Sequence, residues 1–188
     1  MPNESQIWTQ FQHGSVDAYE ALYSSFAPPL YSYGMKFTSD VTIVEDSIHD
    51  VFCTLWTSRE RLSQPASVKN YLFKSLRNSI LRKSHKPFFL LGDDQNLDFH
   101  FELAIDEKLT QNEDMQFVKW KVAQALEKLS SRQREIIYYR FYQNLEFDEI
   151  ADIMNMQVRA TYKLTSRALE TLRGLLPAEQ FFSTPLLQ

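Results

Sequence analysis

The sequence predicts an all-α protein: two small helical domains joined by an acidic linker. Three observations predict it. Apolar residues recur at three- and four-residue steps along most of the chain. Only 4 Gly and 7 Pro occur in 188 residues, few for an all-β fold built on tight turns. The helical pattern fails once at length, over residues 87–114, a stretch too long for an ordinary loop. The domains therefore fall at 1–86 and 115–176, followed by a tail at 177–188.

The elements follow in order. Ala18, Leu22, Phe26 and Leu30 stand at four-residue steps, and Pro28 and Pro29 should bend or cap that helix. Val44, Ile48, Val51, Phe52, Leu55 and Trp56 form a second stripe, with Asp40 placed as its N-cap. Ser67 caps a third helix that buries Val68, Leu72, Leu76 and Ile80. Helical spacing resumes at Phe117 and runs through Leu129. Further helices fit 132–142, 146–154 and 158–176, and Pro177 stops the last.

Composition bounds the function. The single cysteine, Cys53, excludes an internal disulfide framework. No apolar run reaches the roughly 20 residues of a membrane span, and Met1 to His13 carries no cationic signal-peptide region. A soluble, cytoplasmic protein is expected. No Gly-rich phosphate loop, nucleophile elbow or metalloprotease motif is present, so no enzyme, cofactor or small-molecule substrate is expected. His49 and Cys53 lie one helical turn apart, but two ligands are too few for a structural metal site. Cys53 is expected to be a small buried residue.

Net charge is −4, unevenly spread. Residues 1–56 carry −6, residues 57–86 carry +7, residues 87–117 carry −7 and the remainder +2. A basic block between acidic ones suits a local polyanion site on a chain otherwise kept off polyanions.

The strongest motif runs from Phe147 to Val158. Ala151 is small where a second helix must cross, and Asn155 occupies a turn position that needs left-handed backbone. Ile150, Met154, Met156 and Val158 supply apolar contacts between two helices. The second helix turns Val158, Thr161, Leu164, Ala168, Leu169 and Leu172 inward. Arg159, Tyr162, Lys163, Ser166 and Arg167 then face outward, as on a helix that enters a major groove.

Three segments together resemble a known family. Leu129 to Ile137 (LSSRQREII), Arg140 to Tyr142 and Glu149 to Ala151 look like the promoter-reading C-terminal domain of bacterial sigma factors. Val44 to Trp56 (VEDSIHDVFCTLW) resembles the helix by which those factors grip core RNA polymerase. Val68 to Asn78 (VKNYLFKSLRN) resembles their −10-reading helix. Order and extent match the extracytoplasmic-function (ECF) group, and the wording of the third segment is most like members from Bacteroidetes. The chain departs from the family pattern at Ser130, where Pro is usual, and at Asn155, where Gly is usual. It departs also at His49, which replaces a common Gln, and at Glu146 and Gln157, which replace the usual Ser or Thr caps.

The resemblance implies a sigma-two-like helical bundle, a sigma-four-like helix-turn-helix domain and an alternative sigma factor that directs −10 melting and transcription initiation. Asp46, His49, Asp50, Phe52 and Trp56 would meet core RNA polymerase. Lys69, Asn70, Tyr71, Lys74, Arg77, Asn78, Arg82, Lys83 and Lys86 would hold the −10 element. The cations among them would neutralise phosphates, and Asn70, Tyr71 and Phe73 would meet opened bases. Arg159, Tyr162, Lys163, Ser166 and Arg167 would read the −35 element of promoter DNA. An anti-sigma factor, often membrane-anchored in the family, is the implied protein partner. The alternative is an autonomous helix-turn-helix regulator whose N-terminal domain senses or dimerises.

Overall fold

The computed structural model describes residues 4–84, 99–101 and 113–176, and every element among them is helical. The chain divides into two compact units, residues 1–96 and 97–188.

The first unit opens with α1 (Glu4–Gln12), a helix that no apolar stripe in the sequence marks. Its nine residues carry only two fully buried side chains, Trp8 and Phe11, too few to show a period. Gly14, at φ 86°, turns the chain into α2 (Val16–Gly34), where the Ser15 hydroxyl accepts from the Ala18 amide. Pro28 and Pro29 do not end α2. Ala18, Leu22, Phe26 and Leu30 stay buried on one stripe across them, because tertiary packing outweighs the lost backbone bonds.

Asp40 caps α3 (Val41–Ser58) by accepting from the Thr42 and Ile43 amides at 3.0 and 3.4 Å. A 3₁₀ turn (Arg59–Arg61) and an extended stretch lead to α4 (Val68–Lys83), capped by Ser67. Helices α2, α3 and α4 pack on one another. Gly34 lies at their crossing: a Cβ there would stand 2.6 Å from Val44 Cγ1 and 3.3 Å from Ile80 Cδ1. Phe73 is core, stacked on Tyr33 at 4.6 Å, and so does not meet an opened base.

The second unit holds α5 (Glu113–Glu127), α6 (Ser131–Ile137), a π-helical turn (Tyr138–Tyr142), α7 (Phe147–Ile153) and α8 (Val158–Leu175). Ser130, in place of the family's Pro, closes a capping box with Gln133: each backbone amide donates to the other's side chain. Most of the acidic stretch 87–114 lies outside the described residues. Within it, Phe99 and Phe101 are buried against Tyr138 at ring separations of 5.6 and 5.4 Å, and Glu113 already starts α5. The tail 177–188 also lies outside the described residues.

Candidate nucleic-acid and polymerase interface

The helix-turn-helix is built from its turn outward. Asn155 adopts φ 51°, the left-handed conformation expected of it. The Met156 amide donates to the Ala151 carbonyl at 2.8 Å and the Asn155 amide to the Asp152 carbonyl at 3.3 Å, the two bonds of a Schellman motif. Glu149 reaches back to accept from the Glu146 amide at 2.8 Å, so a Glu pair starts α7 where the family has Ser or Thr. Gln157 gives α8 no side-chain cap.

α7 packs on α8, and Ile150, Ala151 and Met154 on one side and Thr161, Thr165, Ala168 and Leu172 on the other are all buried. Leu164 and Leu169 are half-buried. Val158 is exposed, against expectation, because it sits on the first turn of α8 before the helix reaches its partner. Arg159, Tyr162, Lys163, Ser166 and Arg167 are all exposed on α8.

One arrangement here is not visible in the sequence. The Tyr162 ring lies against Phe147, centroids 4.0 Å apart, and the Arg140 guanidinium stands 5.0 Å from the Phe147 centroid. Arg140 donates to the Leu145 carbonyl at 2.9 Å and pairs with Glu146 at 3.2 Å. The available signal was a phenylalanine on the outer first turn of α7, where a polar residue would suffice.

In the first unit, Asp46, His49 and Asp50 are exposed at three- and four-residue steps on α3. Trp56 is half-buried, under the Arg59 guanidinium at 4.5 Å. Phe52 is a correction. It is 1% exposed, edge-on to Tyr19 and Tyr23, so it belongs to the core and not to the outer face of α3. Cys53 is a second correction. It is exposed, with Sγ 3.3 Å from His49 Nε2. Its position, one turn beyond His49, follows the outer face of the helix rather than the apolar stripe. No group of three or more His, Cys, Asp or Glu side chains gathers into a metal-binding set among the described residues.

On α4, Lys69, Asn70, Tyr71, Lys74 and Asn78 are half-buried and Arg82 is exposed. Arg77 is a further correction. It is 2% exposed and faces the bundle with Leu76 and Ile80, so no phosphate reaches it. Lys86 lies outside the described residues. Tyr71 is edge-on to Trp8 at 5.7 Å, so one face is already core. Lys83 Nζ lies 2.9 Å from Asp50 Oδ2. Asp50, Thr54, Tyr71, Asn78 and Arg82 line one cleft of about 220 Å³ between α3 and α4. The structure thus brings part of the expected polymerase set beside part of the expected DNA set.

The stretch between α3 and α4 is tied to α1. Gln12 Nε2 donates to the Leu62 carbonyl, and Gln64 Nε2 donates to Ser5 Oγ at 3.4 Å. Tyr19, beside Trp56 at 5.0 Å, has its phenol pushed above the ordinary range by burial, with Cys53 and Tyr23 adding to the effect.

Comparison with known proteins agrees with this layout. Residues 22–86 match the family model for sigma-70 region 2, and residues 119–172 match that for sigma-70 region 4. Together they span more than half of the chain. The chain is 27% identical over 152 residues to the RNA polymerase sigma factor SigV of Bacillus subtilis (strain 168), covering 79% of this chain and 82% of that protein. Its fold is similar to CnrH, solved in complex with the cytosolic domain of CnrY. The TM-score is 0.60 at 19% identity, over 92% of this chain and 96% of that one. It is similar also to the sigma factor RpoE, solved with the anti-sigma factor NepR from Bartonella quintana. There the TM-score is 0.57 at 23% identity, over 87% of this chain and 99% of that one. Region 2 followed by region 4, on a helical bundle and a helix-turn-helix unit, places the chain in the sigma-70 family as an ECF-type alternative sigma factor, a subunit that directs transcription initiation by RNA polymerase.

Proposed function

We propose that this sigma factor meets core RNA polymerase through the outer face of α3, with Asp46, His49, Asp50 and the edge of Trp56. Acidic groups at exposed helical steps fix register on a basic partner helix. We assign the −10 element to the α3–α4 connection and α4, where Lys69, Asn70, Tyr71, Lys74, Asn78 and Arg82 remain accessible in whole or part. Lys83 joins that set only by leaving Asp50. The −35 element falls to Arg159, Tyr162, Lys163, Ser166 and Arg167 on α8.

The observation that carries this reading is the order of the two sigma-70 regions along one chain, with the +7 block inside the first. An autonomous regulator needs only the second unit. We further propose an anti-sigma factor as protein partner, supported by the complexes in which both similar structures were solved. No described helix is long and apolar enough to cross a membrane. We place the protein in the cytoplasm with polymerase, with no chemistry of its own.

Run-off transcription on a promoter library tests the reading. Core polymerase with this chain should initiate from a selected subset of sequences. Arg159→Ala, at the start of α8, should relax preference at one −35 position, by ~1–3 kcal/mol of discrimination. Arg167→Ala should weaken all sequences alike, as loss of a phosphate contact does. No chain-dependent transcript, or an unchanged −35 preference in Arg159→Ala, contradicts the assignment.

A further inference from the structure

Tyr162 is 53% exposed, yet its ring is not free. One face lies on Phe147 at 4.0 Å with an interplanar angle of 31°. Phe147 in turn lies near the Arg140 guanidinium, which Glu146 and the Leu145 carbonyl hold. Thr161, one residue before Tyr162, donates from Oγ1 to the Val158 carbonyl at 2.6 Å and to the Phe147 carbonyl at 3.4 Å. Arg140 comes from the π-helical turn, Phe147 from α7 and Tyr162 from α8, so three elements fix one exposed ring.

The neighbours of that ring define its partner. Arg159, Lys163 and Arg167 share its exposed helix and suit phosphates or guanine edges. At 53% exposure the fixed ring offers apolar ring carbons, beside its hydroxyl, to whatever the cations draw in. In the major groove the apolar feature of a base edge is the thymine 5-methyl group. A side chain held in place before binding loses no further freedom on contact, which favours its use for selection.

We propose that Tyr162 reads the 5-methyl group of one thymine in the −35 element, with Phe147 and Arg140 as the positioning residues that hold the ring. This rests on the assignment of the outer face of α8 to the −35 element.

The test uses the full chain with core polymerase and a promoter selected from a random library. Each −35 thymine is replaced singly by deoxyuridine, which removes only the methyl group, and holoenzyme affinity is measured. One position should lose about threefold to tenfold. The same replacement should be silent in Tyr162→Ala and in Phe147→Ala, and should keep its effect in Phe147→Tyr, which can still stack. If Phe147→Ala fails to fold, Phe147→Leu takes its place, keeping apolar contact without the stack. A scrambled −35 element separates the two levels of failure. If scrambling leaves affinity unchanged, the −35 assignment of α8 fails and the inference falls with it. If scrambling weakens binding, two results overturn the inference alone. One is that no thymine is sensitive to methyl loss; the other is that the sensitivity survives in Tyr162→Ala.

Discussion

The Asp50 carboxylate is shared between two demands. It stands on the exposed face of α3 and pairs with Lys83 of α4 at 2.9 Å. Both side chains keep solvent contact, so the pair contributes little to stability, about 0–1 kcal/mol. Its larger role is to hold Lys83 against α3. Asp50→Arg should therefore keep the helical circular dichroism signal and weaken core polymerase binding by roughly tenfold, as reversal of an interfacial charge does. Lys83→Ala is the control, since it breaks the same pair without touching the α3 face. Equal core affinity for Asp50→Arg and wild type, read by fluorescence anisotropy, would remove Asp50 from the interface. Tyr138 supplies a prediction of a different kind. Burial pushes its phenol up from 10 to about 12; the Gln143 hydrogen bond opposes this and Tyr142 adds to it. The folded state thus keeps its proton after the unfolded chain has lost it. The stabilisation is complete below pH 10 and is lost as pH rises from 10 through about 12. Urea midpoints of Tyr138→Phe should fall less steeply than wild type across that window, and parallel slopes would contradict the assignment.

Among the elements, Gly34 bears the closest approach. It ends α2 where Val44 of α3 and Ile80 of α4 converge, and a methyl at 2.6 Å from Val44 Cγ1 needs a shift of packed core. Gly34→Ala should destabilise the first unit by ~1–3 kcal/mol, seen as a lower thermal midpoint in calorimetry. Paired with Val44→Ala, which clears the space, the further cost of Gly34→Ala should largely vanish; a persisting cost would place the strain elsewhere. These packed elements also show what a sequence makes legible. Helices α2, α3, α4 and α8 were readable because each carries a long apolar stripe or a side-chain cap such as Asp40 or Ser67. Helix α1 was not, because its burial depends on two rings that find partners only in folded space, Trp8 on Tyr71 and Phe11 on Trp56. The outward set on α8 was legible from its period alone. Phe52 and Arg77 were misassigned because an aromatic or a cation fits a binding role by type, while its place on the helix decides which way it faces. The Arg140–Phe147–Tyr162 cluster joins residues from three elements, and no local pattern encodes that.

At the scale of the whole chain, charge and duplication of binding surfaces govern behaviour. Basic residues 57–86 sit between segments of net −6 and −7, and the whole carries −4. That field opposes nonspecific attraction to duplex DNA. The two units are proposed to carry separate DNA surfaces, and the affinities of such surfaces combine only as far as something holds both on one promoter. Core polymerase, bound through α3, is proposed to do this. Promoter affinity should then depend on the enzyme rather than on the chain alone. The direct measurement is a gel-shift titration on a promoter selected with the holoenzyme, at physiological salt, with and without core polymerase. Sequence-specific binding is expected with core and only weak, salt-sensitive binding without it. Tight sequence-specific binding by the isolated chain would contradict it.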